Sequence, residues 1–124
     1  NIAEAVHNFN LAGLTTSYSC EGHESHVYHN DNVIIVNSLP YISFDKSLEE
    51  KVLETVNSIC LPKGWEVDTS SEYIVTIRNT MMKENFTIET KLTSLNAITD
   101  WSREVMYFVK LKRRRSGINE CINY

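Results

Sequence analysis

Glycine and proline are scarce, with four and two in 124 residues. So few flexible or kinked positions exclude long linkers, collagen-like repeats and low-complexity filaments. Cysteine is scarce as well. Cys20, Cys60 and Cys121 are an odd, sparse set that makes no disulfide framework. A reducing compartment is therefore expected, the cytoplasm of a host cell. No run of 18 apolar residues is present, so no membrane-spanning segment is expected. The first residues are mixed and polar, which does not match a signal peptide. The start at Asn1 rather than Met points to a trimmed N-terminus. Positive charge is short too: 12 Lys and Arg against 16 Asp and Glu give a net charge of −4. That disfavours a general nucleic-acid binder unless the charge is strongly segregated.

What remains is ordinary for one folded domain. Hydrophobic residues make up 42% and charged residues 23%. The length suits a single domain spanning 1–124. Ile2, Val6 and Phe9 recur at helical spacing, with Gly13 as the residue that closes the helix. Leu14–Ser19 reads as a strand. Cys20–Asn32 is polar without a sustained period and reads as a loop. Val33–Val36 and Tyr41–Phe44 read as short strands. Ser47-Leu-Glu-Glu50 matches a capping box, followed by a helix with Leu48, Val52, Val56 and Ile59 on one face. Pro62 and Gly64 end it, and Cys60 is assigned to the core side of that helix.

Three alternating segments follow: Trp65–Thr69, Glu72–Arg78 and Asn85–Lys91. The last two are expected to pair as a hairpin across 79–84. A final helix is expected over Thr99–Arg113, with Ile98, Trp101, Val105 and Phe108 at helical spacing. Trp65 and Trp101 occupy core positions of their patterns. The pattern is an α+β domain of two layers. Its sheet is mostly antiparallel or mixed, and about three helices lie on one face.

Three of the four histidines fall within one short stretch, as Cys20-x2-His23-x2-His26-x2-His29. Thiolate and imidazole both ligate zinc, so His23, His26 and His29 are candidate metal ligands. Alternation along a strand would scatter them, and a polar loop can hold histidines for no chemical reason. Gly22 permits a sharp turn, and with Ser19 and Cys20 could form a backbone nest for an anion. Cys20 is a candidate nucleophile if His23 lies close, or else a small core residue. Glu21 and Glu24 are the candidate general bases of the same segment.

Gly13, Thr16, Ser19, Cys20, Gly22 and His23, followed by Pro40-Tyr-Ile-x-Phe44, carry a resemblance. A helix, a Thr-bearing strand, Ser-Cys-x-Gly-His and Pro-Tyr-Ile-x-Phe together resemble a group of small proteins common in phages and prophages. The resemblance covers Ile2–Ile59, about half the chain. The Ser-Cys-x-Gly step is also similar to the Ser-Cys-Ser-Gly motif of wybutosine tRNA-modification methyltransferases, with His23 where that family has arginine. The phage-like resemblance implies a mobile-element setting. By analogy it implies an inhibitor of a host defence of the CRISPR or nucleotide-signalling kind.

Lys110, Lys112, Arg113, Arg114 and Arg115 cluster near the end of the last helix. Taking these five cations from a net of −4 leaves −9 on the rest. A basic tip on an acidic body fits local phosphate binding, and it also fits dipole complementation at a helix end. The candidate ligand-binding set is therefore Ser19, Cys20, Glu21, Gly22, His23, Lys112, Arg113, Arg114 and Arg115. The expected partner is a host protein, a nucleotide or a nucleic acid, with an oligomer possible. The alternative is a small enzyme using Cys20, His23, His26 and His29 with zinc or a thiolate. A further reading is nucleic-acid mimicry by an acidic surface of Glu49, Glu50, Glu54, Glu66, Asp68 and Glu72.

Overall fold

The computed structural model describes residues 1–80 and 86–123, with side chains described for all of these except 24–27, 29, 35–37 and 115–123. The elements run α1 (Ala3–Leu11), β1 (Thr16–Cys20), β2 (His23–His29), β3 (Asn32–Ser38), β4 (Tyr41–Asp45), α2 (Glu49–Ser58), β5 (Trp65–Asp68), β6 (Ile74–Asn79) and α3 (Ile88–Asn123). Four strands form one antiparallel sheet in the order β1-β4-β6-β5, and β2 and β3 form a separate pair. The α+β class holds, with three helices and an antiparallel sheet.

Strand pairing decides which residues meet. Ile42 is opposite Ile77, and Phe44 is opposite Val75. These four point inward and are fully buried. The helices cover that face with Phe9 from α1, Val52 from α2, and Leu95, Ile98, Trp101 and Val105 from α3. Phe9 is the hub. Its ring meets Phe44 edge-on at 5.6 Å and lies tilted against Trp101 at 5.7 Å. Trp101 and Trp65 are both buried, in line with their sequence pattern. The Trp101 indole N–H donates to the Ile59 carbonyl at 3.1 Å. A buried polar link adds to α1–α3 packing: the Asn8 amide donates to Ser102 Oγ at 3.0 Å.

Among the described residues, no helix residue lines the groove on the sheet's other face. Tyr18, Tyr41, Ser43, Ile74, Thr76 and Arg78 line an open, mostly apolar groove there, of about 410 Å³. β2 and β3 continue the β1–β4 pair outward as a ribbon. At its end Asn30 (φ 50°) and Asp31 (φ 64°) make a two-residue turn. Left-handed backbone at both positions is the turn that matches strand twist. Tyr28 is 78% exposed and Ile34 46% exposed on this arm.

Several expectations are corrected. Cys20–Asn32 is not a loop: His23–His29 is a strand paired in full with β3. Tyr28, Val33 and Ile34 are exposed on this arm, and its sequence carries no hydrophobic alternation. Ser47 does not cap α2, which has no side-chain cap. Asp45 instead caps the 3₁₀ turn over Lys46–Leu48 that precedes the helix, accepting from the Ser47 amide at 2.9 Å. The expected strand Asn85–Lys91 is replaced by the start of α3 at Ile88. Thr87 and Thr90 exchange reciprocal bonds there, with Thr90 N–H to Thr87 Oγ1 at 3.1 Å and Thr87 N–H to Thr90 Oγ1 at 2.9 Å. Such a box fixes a helix start more firmly than propensity fixes a strand. Asn85 and the expected turn at 81–84 lie outside the described residues. α3 is also far longer than Thr99–Arg113, at 36 residues. Cys60 lies beyond the end of α2 and is exposed rather than core.

Two Asp-x-Ser turns give an acid-sensitive element. Asp45 and Asp68 each accept from a serine hydroxyl and amide two residues on, at Ser47 and Ser70. The hydroxyl bond, then the amide bond, holds each carboxyl below its ordinary value of 3.8. A carboxyl depressed in the folded state binds fewer protons than it does in the unfolded chain. Its contribution is full above about pH 4 and is lost as pH falls through the folded value. Thermal midpoints are expected to drop on acidification below that point, and less steeply in Ser47→Ala/Ser70→Ala. Parallel acid profiles for the two proteins would contradict this.

Candidate functional site

β1 ends at Cys20, and the chain turns at Gly22 before β2 begins at His23. Gly22 is at φ +89°, which L side chains rarely adopt. The turn brings the first and fourth residues of Cys20-Glu-Gly-His23 together. Cys20 Sγ lies 3.5 Å from His23 Nδ1. The Gly22 amide donates to the same sulfur at 3.4 Å. Cys20 is half-buried and His23 exposed. The closeness of His23 on which the nucleophile reading of Cys20 depends is therefore present. The anion nest is spent differently, because its Gly22 donor serves the sulfur. Glu21 Oε1 accepts from the Ile2 amide at 3.1 Å and so ties the turn to the start of α1. Ser19 precedes Cys20 on the strand, so the two face opposite ways.

The remaining histidines lie further along β2. His23 is opposite Ser38, His26 opposite Ile35 and His29 opposite Asn32. The side chains of His26 and His29 lie outside the description. At about 3.3 Å per residue, His23 and His29 are roughly 20 Å apart along the strand. Among the described residues, no three His, Cys, Asp or Glu side chains are grouped to hold one metal ion.

The basic tip forms a second site. A groove of about 220 Å³ lies between the end of α1, α2 and α3. Lys51 from α2 and Lys112 and Arg113 from α3 line it, with Gly13, Thr55, Phe108 and the single carboxylate Glu54. Lys112 pairs with Glu54 and sits 5.3 Å above the Phe108 ring. The Lys112 hydrogen bond, then its charge, holds the Glu54 carboxyl below its ordinary value of 4.5. Among the described residues, Lys51 and Arg113 have no ion-pair partner. The groove thus carries surplus positive charge in an otherwise acidic protein. Gly13, at φ +83°, leaves room for Arg113: a Cβ there would come within 3.4 Å of its guanidinium. Arg114 is exposed, and Arg115 lies in α3 with its side chain outside the description.

No protein-family model, curated protein or solved structure matches this chain.

The two candidate clusters are not one site. Gly13 lies before the first residue of β1, and Cys20 is its last. Lys51 was missed in the sequence because it sits on the polar side of an amphipathic helix, where nothing distinguishes it from a solvated charge. Only tertiary packing sets it beside Lys112 and Arg113. The acidic residues are largely engaged: Glu49 pairs with Lys46, while Glu66 and Asp68 share Arg78. Those pairs reduce the free negative surface that mimicry of nucleic acid requires. Among the described residues, no helix is long and apolar enough to cross a membrane.

Proposed function

We propose that this chain is a small binding module that acts by occupancy, holding a phosphate-bearing ligand in the groove between α1, α2 and α3. The observation that carries this reading is the convergence of Lys51, Lys112 and Arg113 on one concave surface with a single opposing carboxylate. Arginine offers paired donors to phosphate oxygens, and lysine adds a compact charge. A volume of about 220 Å³ accepts a phosphoryl group and part of a sugar, so the rest of the ligand lies outside. A nucleotide or the backbone of a nucleic acid has that shape. In the phage-like setting, such occupancy serves to inhibit a host defence system in the host cytoplasm. The bound phosphate then belongs to that system's signal, its nucleic acid or a host protein complex.

The test is a calorimetric titration with inorganic phosphate, a nucleoside diphosphate and a short single-stranded oligonucleotide at 50 mM and 300 mM salt. At least one phosphate-bearing probe is expected to bind, more weakly at high salt. Lys51→Ala/Arg113→Ala is expected to weaken it roughly 10- to 100-fold, the loss of one to two charge-assisted contacts. An unchanged affinity in the double variant, or no binding by any probe, overturns the proposal.

A further inference from the structure

The turn at Cys20–His23 has the dimensions of half a zinc site. Zinc holds thiolate sulfur at about 2.3 Å and imidazole nitrogen at about 2.0–2.1 Å in a tetrahedron. Those lengths at a tetrahedral angle put sulfur and nitrogen about 3.6 Å apart. The observed Sγ–Nδ1 separation is 3.5 Å. A second feature points the same way. The Gly22 amide aims at the sulfur from 3.4 Å, and an N–H donor there favours the thiolate that a metal requires. Gly22 is held to that role by crowding, since a Cβ would lie 2.9 Å from Pro40 Cδ and 3.0 Å from the Ser38 carbonyl.

Among the described residues, one chain offers two ligands. No third described His, Cys, Asp or Glu joins Cys20 and His23. The His26 backbone lies about 10 Å further along β2. We propose that a single Zn²⁺ joins two copies of this chain, each supplying Cys20 Sγ and His23 Nδ1 about a two-fold axis. Two thiols each release one proton to solvent as the ion binds. The resulting Cys2His2 centre is neutral, which suits burial between subunits. A two-fold interface is also the commonest closed assembly.

The neighbouring surface fits a second copy. Cys20 is two residues from Tyr18 and opposite Tyr41, so all three share the grooved face of the sheet. Tyr18 and Tyr41 line the open apolar groove of about 410 Å³. A partner anchored at Cys20 lies over that groove and removes its apolar wall from water.

The experiment uses the full chain, kept reduced with a phosphine, and measures mass by light scattering during gel filtration. Half an equivalent of Zn²⁺ is expected to double the 14.3 kDa mass, and a chelator is expected to reverse it. Metal analysis of the dimer should return one zinc per two chains. Co²⁺ in its place should give thiolate charge-transfer and tetrahedral ligand-field bands. Cys20→Ser and His23→Ala should stay monomeric with zinc while keeping the wild-type circular dichroism spectrum. Cys60→Ser, changed at an exposed cysteine outside the site, should dimerise normally. No change of mass with zinc, one zinc per monomer, or a zinc dimer that survives Cys20→Ser overturns the proposal.

Discussion

Phe9→Ala is expected to destabilise the fold by about 3–5 kcal/mol, the range for removing a fully buried aromatic ring. Phe9 has no exposed surface, and its ring touches both the sheet at Phe44 and α3 at Trp101. Truncation therefore opens a void where all three meet, and close-packed neighbours relax only partly into it. Domains of this size have about 5–15 kcal/mol in total, so the variant will be near its unfolding threshold at 37 °C. Urea unfolding should show a lower midpoint at an unchanged slope. Thermal unfolding should fall by roughly 10–20 °C. Phe9→Leu keeps most of the volume and should lose far less. A loss below about 1 kcal/mol for the alanine variant would mean the ring does not occupy the junction described.

Gly22→Ala is expected to have the next largest effect, about 1–3 kcal/mol from the left-handed backbone alone. The Cβ adds a clash with Pro40, whose ring cannot rotate away, and with the Ser38 carbonyl. Relief requires the two halves of the β-ribbon to separate at their joint. The same movement pulls His23 from Cys20, so the variant should lose its response to zinc or cobalt together with stability. Gly22→Asn tolerates positive φ better than alanine but adds more bulk. It should therefore be no better than alanine if crowding dominates, and clearly better if backbone strain dominates. Unchanged stability in both variants would show that the joint carries no load.

The elements legible in the sequence are those that bury one face. The spacing of Ile2 and Phe9, closed by Gly13 in the left-handed region, identifies α1. The alternation around Ile42 and Phe44, and around Val75 and Ile77, identifies the two central strands. β2 was illegible for the opposite reason. It pairs with β3 in a separate two-stranded sheet, and its turn is Asn-Asp rather than the more familiar Asn-Gly. Phe86-Thr-Ile-Glu-Thr alternates like a strand, yet the reciprocal Thr87–Thr90 bonds decide for helix. At the sites, the Cys20–His23 contact spans three residues, so the sequence shows the two as neighbours but not whether their side chains meet. The groove was not legible, because Lys51 and Arg113 meet only through the packing of α2 against α3.

The α1–α3 clasp has a consequence for synthesis. Asn8 and Ser102 lie 94 positions apart, yet they share a buried hydrogen bond. A ribosome adding about 5–20 residues per second separates their emergence by roughly 5–20 s. The ribbon can zip from Asn30-Asp31 within microseconds of leaving the tunnel. Phe9 and its apolar stripe wait much longer for a partner. During that interval the apolar residues of the nine-residue α1 segment lack their α3 cover, and so short a segment does not hold a helix by itself. Slow codons placed late in the message should therefore reduce the yield of folded protein more than the same codons placed early.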